Sequence, residues 1–217
     1  MIKSIILSIT LAYASSFHIP TTNSLLRSSL SAIDSNTDLT FPPLDGSSSR
    51  IGIIRTRWNP TYVDSLVTGV KESLKECGVK EENVFVTEVP GAYELPYAAR
   101  LLALSGTVDS IVAVGTLIKG DTQHFEYIAD ATSNGLMSVG LQTNVPCVFG
   151  VLTCNTEEQV KARATGEGNH GQGWGKTAVE MALLRKDALG GGKQQTMGFG
   201  ELVDVKGGSL PSKSIGF

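Results

Sequence analysis

The sequence predicts an α/β fold, a four-stranded parallel sheet lying between two layers of helices, and three observations lead there. Residues 51–54, 83–89, 110–114 and 148–152 are short runs of β-branched and apolar residues with the length and composition of buried strands. Between them lie longer segments whose apolar residues recur at helical spacing. Each strand is therefore followed by a helix before the next strand begins, as parallel pairing requires.

The elements follow in order. Residues 51–54 form the first strand, and Arg55, Thr56, Arg57 and Trp58 are the loop at its carboxyl end. Asn59 predicts an N-cap with Pro60 at the first helical position; Val63, Leu66, Val67, Val70 and Leu74 share one face, and Gly78 ends the helix. After the strand at 83–89, Pro90, Gly91, Ala92, Tyr93 and Glu94 form a loop, and a helix spans 95–104. The third strand, 110–114, delivers a loop from Gly115 to His124, and the third helix runs from Phe125 to about Gln142. Pro146 precedes the fourth strand. Asn155 with Glu158 three residues on predicts a capping box for a helix through Arg163. A glycine-rich turn at 166–175 leads to a last helix with Val179, Ala182, Leu183 and Lys186 on one side.

The periodic part, domain 49–189, is long enough for one core: roughly 140 residues bury about two-thirds of their unfolded surface. Three cysteines, Cys77, Cys147 and Cys154, are odd in number and lack metal-ligand spacing, so neither a disulfide framework nor a zinc site is expected. They read as packing residues in a reducing compartment. A net charge of −3 with no basic run gives no electrostatic reason to expect nucleic acid or an anionic membrane, and a small-molecule ligand is expected instead.

Residues 1–48 read as an address and linker. Lys3 supplies a positive start, residues 4–12 are apolar but too short to span a bilayer, and the small residues Ala14, Ser15 and Ser16 follow, as in a signal peptide. From 17 to 49 the chain is rich in Ser and Thr, carries Arg27 and has no acid before Asp34, the composition of a transit peptide. With Phe17 directly behind the small residues, the arrangement resembles the bipartite plastid presequence of algae with secondary plastids. A plastid stroma is the expected destination, and no later apolar run near 20 residues argues for a membrane span in the processed protein. Residues 190–217, with three successive glycines and no sustained period, are expected to be a disordered tail.

Ligands in such folds gather outside the carboxyl ends of the strands. The loops there carry Trp58, Ala92, Tyr93 and Glu94, the stretch Thr116, Leu117, Ile118, Asp121, Thr122 and His124, and the region after Phe149. Trp58 suits stacking on a planar ring, although a tryptophan is also often core; Glu94 suits hydroxyls, although a first-turn acid also answers the helix dipole. Arg163 suits a phosphate as a fork of donors, or is a solvated helix end. Gly115 and Gly120 permit backbone geometries closed to other residues, Thr122 offers a hydroxyl, and the helix start presents N–H groups to an anion. His124 stands where a proton donor or acceptor meets a phosphate-bearing substrate; a helix cap is the plainer role.

Two motifs mislead. Gly166 to Gly171 matches the dinucleotide spacing, but a helix rather than a strand precedes it; Gly175-Lys176-Thr177 resembles a phosphate loop, yet His170 stands where that loop needs glycine. A turn between helices or part of a subunit contact is expected there.

Taken together, Trp58-Asn59, the stretch from Gly91 to Pro96, the stretch from Gly115 to Phe125, the stretch from Phe149 to Thr153 and the stretch from Glu158 to Ala164 resemble lumazine synthase. That resemblance implies a flavodoxin-like αβα fold and the condensation of 5-amino-6-(D-ribitylamino)uracil with 3,4-dihydroxy-2-butanone 4-phosphate. The products are 6,7-dimethyl-8-ribityllumazine, phosphate and water, with no metal or redox cofactor. It also implies roles. Trp58 stacks on the pyrimidine; Ala92, Tyr93, Glu94, Thr116, Leu117 and Ile118 hold the ring and ribityl chain. Asp121, Thr122 and Arg163 bind the phosphate, Phe149 closes the pocket from a neighbouring subunit, and His124 is the general acid and base. The family assembles as pentamers, sometimes twelve in a shell. His170 stands where a lysine is frequent, which points to the fungal form and to a pentamer.

A non-catalytic flavin or lumazine carrier, or a cage-forming homologue, is the competing function; the presence of both His124 and Arg163 favours the enzyme. A phosphate-sensing signalling domain would need an acidic cluster after the first strand, where Arg55 and Arg57 stand instead.

Overall fold

A computed structural model of the chain describes residues 39–189. The proposed signal feature, the transit stretch up to residue 38 and the tail at 190–217 therefore fall outside the described residues, whereas residues 39–48, read as linker, are described. The order is β1 (Ile51–Thr56), α1 (Pro60–Glu76), β2 (Val84–Val89), α2 (Leu95–Leu104), β3 (Ser110–Ile118), α3 (His124–Thr143), β4 (Cys147–Cys154), α4 (Glu157–Ala164) and α5 (Gly171–Leu189). The four strands lie side by side as β2-β1-β3-β4, every pairing parallel. This is the expected α/β sheet of flavodoxin-like order, and it leaves all four carboxyl ends on one edge.

Strand alternation gives the sheet two buried faces. Ile51, Ile53, Val112 and Val114 pack with Val63, Leu66, Val70 and Leu74 of α1, Val160 of α4, and Ala178 and Val179 of α5. On the other face Ile54, Ile111 and Ala113 meet Leu95 and Ala99 of α2 and Leu136 and Val139 of α3. Each fully buried Leu, Ile or Val stabilises the fold by about 1.5–3 kcal/mol, so these two layers hold the sheet. Cys77 and Cys154 are buried, Cys147 half-buried, and all are free. They serve as packing; burial pushes the Cys147 thiol up to about 11. None of the described helices is long and apolar enough to cross a membrane.

Several boundaries differ from those expected. β1 runs on through Arg55 and Thr56, which pair with Glu88 and Val89. β3 continues through Gly115 to Ile118, paired with β4 up to Cys154. Gly115 is thus a strand residue and not a loop glycine, and neither it nor Gly120 has a positive φ. Asn59 sits at φ 55° with no cap bond; its Nδ2 donates to the Thr116 carbonyl instead, at 3.3 Å. Gly78 closes α1 at φ 80°, where a Cβ would be strained. The cap of α4 falls one residue later than expected. Thr156 Oγ1 accepts from Gln159 N–H, and Gln159 Oε1 accepts from the N–H of Asn155, one residue ahead of the cap, so the contacts resemble a box shifted by one residue and run through Gln159 rather than Glu158.

The glycine-rich segment is the largest departure: only its first part is a turn, and α5 already begins at Gly171. A Cβ on Gly171 would collide with the Leu66 carbonyl of α1 and come within 3.0 Å of Val70 N; one on Gly175 would stand 2.8 Å from the Val70 carbonyl. The glycines let two helix backbones touch. Before β1, the chain is irregular but anchored. Gly46 N–H donates to the Cys77 carbonyl at 2.7 Å, Leu44 packs on the α1–α5 core, and Lys186 Nζ donates to Ser48 Oγ at 2.8 Å.

Candidate active site

The carboxyl ends of β1 and β3, the turn before α2 and the start of α3 surround an open cleft of about 690 Å³. Trp58 stands on its rim, 72% exposed, so its ring is free for stacking and is not core. The αL turn at Asn59 and its bond to the Thr116 carbonyl tie the Trp58 loop to β3. Opposite, the 3₁₀ turn Ala92–Glu94 closes on itself: Glu94 Oε2 accepts from Gly91 N–H at 2.9 Å. Thr132 Oγ1 of α3 donates to the Ala92 carbonyl at 3.1 Å and fixes that turn from below. Glu94 thus serves the helix start and still lines the cleft with its remaining acceptor capacity.

Thr116, Leu117 and Ile118 bring the carboxyl end of β3 to the same cleft, followed by Gly120, Thr122 and His124. His124 opens α3; its N–H is taken by Thr122 Oγ1 at 3.4 Å, and its side chain is exposed at the cleft. Next to it, Lys119 Nζ meets Glu126 Oε1 at 2.6 Å, and that hydrogen bond holds the Glu126 carboxyl below its usual range. Asp121 is exposed and stands outside the cleft lining.

Phe149 and Arg163 do not join this group. They line a second cleft of about 320 Å³ with Thr153, Gln159, His170 and Trp174, sharing no residue with the first. Arg163 Nη1 donates to the Gln159 carbonyl at 3.0 Å, and among the described residues the guanidinium makes no ion pair. His170 N–H donates to the Arg163 carbonyl, and its ring meets Trp174 edge-on with centroids 6.1 Å apart. One side of His170 faces solvent; partial burial of the ring, with the Arg163 charge alongside, pushes its pKa below the ordinary 6.5. Both effects favour the neutral ring.

One chain therefore carries an aromatic-and-histidine cleft and a separate arginine cleft. Reading the sequence alone missed Thr56 and Trp174 as lining residues. The apolar run that marks β1 stops at Ile54, short of Thr56, and the glycines around Trp174 suggest a turn where α5 has already begun.

The 6,7-dimethyl-8-ribityllumazine synthase family model matches residues 48–186. A protein of that name from Pyricularia oryzae is 42% identical over 186 residues, covering 68% of this chain and 93% of its own length. The Schizosaccharomyces pombe protein of the same name is 46% identical over 143 residues, covering 64% and 90%. That of Edwardsiella ictaluri is 49% identical over 140 residues, with the same coverage of 64% and 90%. Because the matched stretch contains the whole sheet, both helical layers and both clefts, this chain belongs to the 6,7-dimethyl-8-ribityllumazine synthase family.

Proposed function

We propose that this chain, a transferase of riboflavin biosynthesis, condenses 5-amino-6-(D-ribitylamino)uracil with 3,4-dihydroxy-2-butanone 4-phosphate using His124 for its proton transfers. What supports the assignment is the meeting of Trp58, Glu94, the end of β3 and His124 around a single cleft. Trp58 orients the pyrimidine by stacking, so its amine meets the ketone at close range. Glu94 and the Thr116, Leu117 and Ile118 backbone hold the ring and ribityl chain. Imine formation, loss of phosphate and ring closure each move protons near neutral pH, the range of an imidazole. Thr122, with Asp121 beside it, and Arg163 receive the phosphate, where a fork of charged donors steadies the departing anion.

Arg163 and Phe149 line a cleft of their own, so the complete site needs the second cleft of one subunit set against the first cleft of the next. A pentamer of this kind is the assembly we propose. An exposed apolar surface on α2 and α3, including Tyr97, Leu101, Met137 and Leu141, suits burial between copies. The presequence composition supports delivery to a plastid stroma; a fluorescent fusion of residues 1–48 that remains cytosolic would remove that destination.

Turnover by the purified chain with both substrates, following lumazine absorbance and released phosphate together, tests the reaction. Joint appearance of the two products is expected. Tight binding of the ribitylated ligand with no product would leave a carrier.

A further inference from the structure

We propose that Thr56 contacts the substrate, its hydroxyl hydrogen-bonding the polar edge of the pyrimidine at the floor of the first cleft; this rests on the lumazine synthase reaction. Thr56 is the last residue of β1, and only 1% of it is exposed. Its side chain stands beside Gly115, on the α2 side of the sheet. A Cβ placed on Gly115 would lie 3.3 Å from Thr56 Oγ1, 3.1 Å from its Cγ2 and 3.6 Å from Leu95 Cδ1. The bare glycine makes room for the threonine.

Thr56 Oγ1 is buried and has no hydrogen-bond partner among the described residues, yet Thr56 lines the cleft. A buried hydroxyl without a partner is costly, and valine would fill the same space without that cost. The hydroxyl becomes favourable only when something entering the cleft supplies the missing bond. A uracil ring offers both N–H donors and carbonyl acceptors, and a hydroxyl answers either. Thr116, on the neighbouring strand, also has a buried hydroxyl without a partner among the described residues, but strand alternation turns its side chain to the α1 face with Val112 and Val114, away from Thr56. Ser110 marks the contrast: it is equally buried and unpaired, but it sits at the other end of β3 and lines neither cleft.

The test is anaerobic calorimetric titration of the full-length protein with 5-amino-6-(D-ribitylamino)uracil, comparing wild type, Thr56→Val and Ser110→Ala, with Tm measured without ligand. Thr56→Val is expected to melt no lower than wild type while its Kd rises roughly threefold to tenfold, the effect of one lost neutral hydrogen bond. KM for 3,4-dihydroxy-2-butanone 4-phosphate stays unchanged, and Ser110→Ala binds as wild type does. A valine variant that binds as tightly as wild type overturns the role of Thr56 alone. Wild type that fails to bind this uracil overturns the assigned reaction, and Thr56 with it. Should the valine variant misfold, Thr56→Ser against Thr56→Ala differs only in the hydroxyl, and equal affinity in that pair is likewise fatal.

Discussion

His124 donates its backbone N–H to Thr122, and among the described residues its exposed imidazole at the cleft makes no hydrogen bond. Replacing it with alanine is expected to lower kcat by about 10²–10⁴, the range of a positioned acid and base, while the affinity for the ribitylated uracil and the assembled mass stay as they were. Steady-state rates and a sedimentation run on one preparation check both halves. Arg163 spends one N–H on the Gln159 carbonyl and keeps the rest of its fork. Arg163→Lys preserves charge and loses the fork, so KM for the phosphate substrate should rise about tenfold with little change for the uracil. His170 makes a prediction in pH. Its folded pKa lies below the ordinary 6.5, so the unfolded chain takes the proton first. The contribution of the neutral ring to stability is present above about pH 6.5 and is lost as pH falls through the folded value. Thermal melts from about pH 7.5 to about pH 5.5 should fall less steeply for His170→Gln than for wild type; equal slopes would show that another group governs the loss.

At the scale of helices and strands, the contact between α1 and α5 makes the sharpest prediction. Helix propensity favours alanine over glycine by roughly 1 kcal/mol in a helix interior and by less at Gly171, which opens α5. The added Cβ, however, meets the Leu66 carbonyl in a backbone that cannot yield, and we expect a net loss of about 1–3 kcal/mol. A lower urea midpoint at unchanged slope is the measurement, and a raised midpoint would refute the close approach. The same glycines explain what sequence reading could see. The strand–helix alternation was legible because apolar period depends on neighbours within one segment, and α2 was read at its observed limits. The ends of β1 and β3 were not. Gly115 continues a strand because Thr56 needs the space beside it, a fact about two strands at once. Asn59 had the type and position of a cap, yet a carbonyl on β3 claimed its amide. The capping of α4 was visible in kind and misplaced by one residue because Asn155 and Thr156 offer overlapping boxes. The cleft residues were legible as a set, since they cluster at strand ends, while the division into two clefts depends on packing across the sheet.

For the whole molecule, the proposed pentamer would turn a surface residue into a functional one. Leu101 of α2 and Met137 of α3 are exposed, and Arg100 Nη1 bonds to Gln142 Oε1 at 2.9 Å across the same two helices. Leu101→Glu should leave the helical content of the chain intact, reduce the sedimenting mass from five chains toward one, and abolish turnover together with assembly. Retained turnover in a monomer would mean that one chain completes its own site. The short anchored stretch ahead of β1 bears on maturation. Leu44 fills part of the α1–α5 core, and Gly46 occupies the Cys77 carbonyl at the end of α1. Were the proposed leader removed by a cut beyond Leu44, that core would be uncorked and the end of α1 freed, so the proposed cleavage belongs upstream of Leu44, and the leader it discards is then shorter than the stretch whose composition suggests it.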